Sequence, residues 1–113
     1  MATLATQFLN RAGLTETLVA AAGGGDACDA NSNALLKVVN GGGSPITVTL
    51  AIPSAASPIP NVTYTNVQVS VTNGSHKWIK VGPEMKDPTT GLCTITYSAV
   101  TSVTVGAFTI TDP

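Results

Sequence analysis

The sequence predicts an all-β fold: a compact antiparallel β-sandwich or small barrel with an extended N-terminal arm. Three observations predict it. Apolar and polar residues alternate with the period of a half-buried strand, as in Ile46-Thr47-Val48-Thr49-Leu50. Asn/Gly and Gly/Pro breaks separate these runs at short intervals, and no segment carries a convincing helical period. Thr is the commonest residue and Val is abundant, and β-branched side chains suit a pleated strand. A chain of 113 residues suits one domain, divided into an arm over residues 1–15 and a β domain over residues 16–113.

Residues 1–15 have weak periodicity, which predicts an extended arm whose apolar anchors Leu4, Phe8, Leu9 and Leu14 want a surface to cover. Thr17–Ala22 is a candidate first strand, ended by Gly23, Gly24 and Gly25, and the polar stretch Asp26–Asn33 reads as a turn. Two apolar runs, Ala34–Val39 and Pro45–Leu50, flank Asn40-Gly41-Gly42-Gly43-Ser44 and predict a hairpin, with Ile46, Val48, Leu50 and Ile52 on the core face. Pro53, Pro58 and Pro60 mark a loop expected to cross between two sheets. Val67, Val69 and Val71 alternate with polar residues, and Asn73-Gly74 predicts a second hairpin with His76–Val81. Gly82-Pro83 ends that strand, and Glu84–Gly91 is a charged, turn-rich loop. In Leu92–Tyr97, Cys93, Ile95 and Tyr97 share a face. The last strand, Ser102–Ile110, switches parity between Ala107 and Phe108, which predicts a bulge near Gly106.

Composition excludes several functions. Only 10% of residues are charged, against roughly 25% in an ordinary soluble domain, so the surface is polar without being ionic. The five basic residues, Arg11, Lys37, Lys77, Lys80 and Lys86, form no dense run, so no nucleic-acid partner is expected. No run reaches the ~18 apolar residues of a membrane span, and no secretory signal is read at the N-terminus, so no membrane partner is expected. Cys28 and Cys93 do not make a disulfide scaffold or a zinc site, and two free thiols are the expected state.

Motif by motif, the chemistry also reads as structure. Asp29-Ala30-Asn31-Ser32-Asn33 echoes a calcium loop, but Ala34 stands at the sixth position and Asn40 at the twelfth, where Gly and Glu are needed. Adjacent strand residues point to opposite faces, so Ser75 and His76 make no nucleophile–base pair. Glu84 and Asp87 lack aromatic subsites, and the glycine clusters lack the Lys-Ser/Thr of a phosphate loop. Asn61-Val62-Thr63 and Asn73-Gly74-Ser75 match a glycosylation sequon without supporting context. The chain is therefore expected to be no enzyme, with no catalytic, cofactor or metal site.

The stretch Arg11-Ala12-Gly13, the Leu18-Val19-Ala20 strand, Ala34-Leu35-Leu36-Lys37-Val38-Val39-Asn40 and Ser44-Pro45-Ile46-Thr47-Val48-Thr49 resemble small head proteins of tailed bacteriophages. Ile79-Lys80-Val81-Gly82-Pro83 and the run Thr94–Val105 extend the resemblance over most of residues 11–110. It implies a capsid decoration, or cement, protein on the outer surface of the virion, bound to the major capsid protein and stabilising the head. A homo-oligomer goes with this reading, a trimer first and a dimer next. The residues expected to make capsid or oligomer contacts are Leu4, Phe8, Leu9, Arg11, Leu14 and Trp78. The alternative is a tail-associated or adhesin-like module that binds a host-surface glycan through Trp78 and the Glu84–Gly91 loop.

Overall fold

The computed structural model describes residues 2–52 and 66–110. The described residues form two sheets, mostly antiparallel, with no α-helix. In chain order the strands are β1 (Ala2–Thr3), β2 (Thr6–Leu9), β3 (Val19–Ala20), β4 (Asp26–Asp29), β5 (Ala34–Asn40) and β6 (Ile46–Leu50). After residues 53–65, which lie outside the description, come β7 (Val67–Val71), β8 (Ser75–Val81), β9 (Leu92–Tyr97) and β10 (Val103–Ile110). A single 3-10 turn, Pro83–Met85, follows β8. The first sheet has the order β1-β4-β9-β6-β7, and the second has β2-β10-β5-β8, with β3 also paired to β10.

Alternation decides what faces inward. Ala34, Leu36, Val38 and Asn40 are buried on β5, and Ile46, Val48 and Leu50 are buried on β6. Asn40 apart, they belong with Cys28, Cys93, Ile95, Val103 and Val105 to one apolar cluster drawn from both sheets. Met85 joins it from the 3-10 turn, which anchors the start of the charged loop.

Neither expected hairpin forms. β5 and β6 lie in different sheets, as do β7 and β8. β5 has no edge to offer β6, because β10 occupies one side and β8 the other along its whole length. Both turns instead arch from sheet to sheet, and the buried Asn40 ties them together. Its Nδ2 donates to the Ser44 carbonyl at 2.8 Å and the Val71 carbonyl at 3.1 Å, and its Oδ1 accepts from the Gly42 N–H at 3.0 Å. The Gly74 N–H donates to the Asn40 carbonyl at 2.8 Å. A Cβ at Gly42 would stand 2.9 Å from the Thr101 carbonyl oxygen, so this glycine serves a close approach of two arches.

The arm is also corrected over residues 2–9. β1 pairs in parallel with β4 in the first sheet, and β2 pairs in parallel with β10 in the second. Between them Leu4, only 6% exposed, enters the core and its N–H donates to the Ala27 carbonyl. This segment therefore stitches the two sheets together. The proline-rich loop at Pro53, Pro58 and Pro60 lies outside the described residues, as does the Asn61 sequon; the strands that flank it, β6 and β7, are neighbours in one sheet. The first expected strand contracts to Val19–Ala20, and part of the expected polar turn becomes β4.

Candidate binding face

β10 pairs with β5 in unbroken register from Val103↔Asn40 to Thr109↔Ala34, so the parity switch is not a bulge. It arises because both faces of β10 are covered. Val103, Val105 and Ala107 face the shared core, while Phe108 points to the outer face of the second sheet and is buried there too. The Trp78 ring from β8 covers it, with ring centroids 5.1 Å apart and planes inclined at 59°. A Cβ at Gly106 would meet Leu18 Cδ2 at 2.8 Å and Phe108 Cε2 at 3.1 Å, so the missing side chain gives the covering groups room.

The cover is completed by residues 10–18, folded back over the sheet. Gln7 on β2 holds their far end like a clamp: its Nε2 donates to the Thr17 carbonyl at 2.7 Å, and its Oε1 accepts from the Thr17 N–H at 2.8 Å. Lys37 Nζ on β5 donates to both Glu16 oxygens at 2.7 and 2.8 Å and lies 5.1 Å from the Trp78 ring centroid. Leu9, Leu14, Glu16, Trp78 and Phe108 surround an open hollow of about 210 Å³. Trp78 is 50% exposed, and Ile110 is exposed on the same sheet. The face is thus apolar and aromatic at its centre, with Glu16 and Lys37 paired beside the hollow and Lys80, exposed two residues beyond Trp78 on the same face of β8, bonded to the Ser32 carbonyl.

Of the residues expected to make contacts, Leu9, Leu14 and Trp78 come together here. Leu4 does not; core burial removes it from any partner. Phe8 is exposed on the opposite side of β2 from Leu9, and Arg11 is exposed in a turn beyond that strand. Sequence reasoning missed Lys37 and Glu16. The parity switch was the signal for Phe108, whereas a pair 21 positions apart gave none for Lys37 and Glu16.

His76 is exposed on β8. On the core side of the first sheet, Tyr97 Oη donates to Asp26 Oδ2 at 2.7 Å, and the Ala22 N–H donates to the same oxygen at 3.2 Å. Asp26 Oδ1 is buried with no hydrogen-bond partner among the described residues. Burial, then the bond to Asp26 and its negative charge, pushes the Tyr97 phenol well above its usual range. Cys28 and Cys93 stand beside this pair, both buried and both free thiols. Among the described residues, no group of three or more His, Cys, Asp or Glu side chains is placed to hold a metal ion.

Fold and face together define a two-sheet, mostly antiparallel β protein with an apolar, aromatic surface around Trp78. Compared with known proteins, the chain matches no family model, no curated protein and no solved structure.

Proposed function

We propose that this chain is a structural protein of the virion, a decoration or cement protein that binds the outer surface of the major capsid protein shell and stabilises the head without catalysis. In this reading the two sheets close as a sandwich around their shared core, and copies associate as a trimer, or failing that a dimer. The adhesive role expected of an arm falls to residues 10–18 and the surface they border. The observation that carries the reading is the half-exposed Trp78 beside Leu9 and Leu14, with the neighbouring Lys37 paired to Glu16. Such a face gains from being covered and has little reason to remain in water. An icosahedral shell repeats each contact many times, so modest single contacts suffice. The resemblance to phage head proteins supports this partner over others.

Co-sedimentation with capsids lacking the protein tests the proposal. Covering the exposed half of the Trp78 ring removes on the order of 100 Å² from water, worth about 2.5 kcal/mol. Trp78→Ala is therefore expected to weaken association at least tenfold and to abolish the protection of heads against heat. Full-strength binding by the variant, or no binding by the parent chain, overturns the proposal. Glycan-array binding that Trp78→Ala removes, without capsid binding, moves the assignment to the host-glycan reading.

A further inference from the structure

Cys28 on β4 and Cys93 on β9 are direct partners in antiparallel register, although 65 positions separate them in sequence. The neighbouring pair, Ala27 and Thr94, turns its backbone groups outward. The Ala27 carbonyl accepts from Leu4 N–H at 2.7 Å, and the Thr94 carbonyl accepts from Ala51 N–H at 3.0 Å. Since the two pair types alternate along an antiparallel ladder, Cys28 and Cys93 occupy a hydrogen-bonded pair, for which the Cα separation is about 5.5 Å. That lies inside the range of about 4.4–6.8 Å that a disulfide spans. Both side chains are fully buried in the core, and the Cys93 S–H donates to the Thr94 carbonyl at 3.7 Å.

We propose that Cys28 and Cys93 form a reversible cross-strand dithiol, a modification site that a low-molecular-weight disulfide oxidises to an internal disulfide. The Cys93 thiolate attacks one sulfur of glutathione disulfide, forming a mixed disulfide and expelling one glutathione thiolate. Cys28 then loses its proton and attacks the Cys93 sulfur, expelling the second glutathione thiolate. The two protons from the cysteines end on the two glutathione thiols, so two thiols are oxidised and one disulfide is reduced. The two cysteines face each other across the ladder, so the step balances in the same way whichever attacks first.

Register makes the bond accessible to closure: about 5.5 Å is close to the commonest Cα separation of a disulfide, so closing the S–S bond asks for little movement of β4 against β9, and thiol exchange reverses it. Entry to the site lies past β1, which pairs with β4 over only two residues at the sheet edge.

The test uses the full chain in two arms: the reduced native protein incubated with oxidised glutathione, and the same protein refolded from denaturant in an oxidised/reduced glutathione buffer. The expected product in the refolding arm is a folded monomer lighter by two hydrogens, with a peptide containing Cys28 joined to one containing Cys93. The same product forms more slowly in the native arm, and dithiothreitol restores both thiols without unfolding the chain. Refolding removes burial as a barrier, so slow entry alone cannot hide the bond. If natively folded chain from both arms carries two titratable thiols, glutathione adducts or only intermolecular cross-links, the proposal is overturned.

Discussion

Tyr97 and Asp26 show how a single hydrogen bond becomes a property of the whole chain. The phenol is held protonated by burial and by Asp26, so its folded-state pKa is raised above the unfolded value of about 10. A raised pKa contributes stability that is present in full below about pH 10 and is lost as pH climbs further, because the folded state then holds a proton the unfolded chain has released. Tyr97→Phe is expected to cost about 1–3 kcal/mol at pH 7, since Asp26 Oδ2 loses a donor while Oδ1 already has none. It should also flatten the decline above pH 10. Urea midpoints of both proteins at pH 7 and pH 10.5 check the two parts separately.

Among elements, the arches are tied by hydrogen bonds of their own as well as by the strands they connect. Asn40 satisfies three backbone groups at the corner where the turns after β5 and β7 meet. Asn40→Ala is expected to cost about 2–4 kcal/mol by denaturant unfolding, because the Val71 and Ser44 carbonyls would lose their donor in a buried corner. The 10–18 segment has a different character, being held at one end by the Gln7 clamp and nearby by one exposed ion pair. Gln7→Ala should cost only about 1–2 kcal/mol. Its larger effect should be cleavage by limited proteolysis between residues 10 and 17, with the β strands protected. An unchanged digestion pattern would show that apolar packing alone fixes the segment. Deleting residues 2–14 is not the clean removal of an arm that the sequence suggests, since it strips an edge strand from each sheet and uncovers the core at Leu4.

For the molecule as a whole, the apolar character of the binding face sets how association responds to salt. With contact made by Trp78, Leu9 and Leu14 and with Lys37 paired to Glu16, capsid binding as proposed should change less than about threefold between 50 and 500 mM sodium chloride. A fall of tenfold or more, measured by co-sedimentation, would mean that charged residues elsewhere make the contact. The chain path matters at this scale too. Apart from β2–β3 and β6–β7, each strand lies in the opposite sheet from its predecessor, so the two sheets cannot separate without opening several arches.

What the sequence by itself determined was local: strand character and the core parity of β6. Those features depend on alternation and composition within a few residues. Strand partnership was decided only by tertiary structure. Asn40-Gly41 and Asn73-Gly74 have hairpin chemistry, yet the chain arches there because β5 is already paired on both edges by strands distant in sequence. The same holds for the face around Trp78. Its floor, Phe108, and its ion pair come from segments that no local pattern connects, and they meet because β10 pairs with β5 and residues 10–18 fold across both. Long-range pairing depends on which edges remain open once the core has formed, and that information is spread over the whole chain.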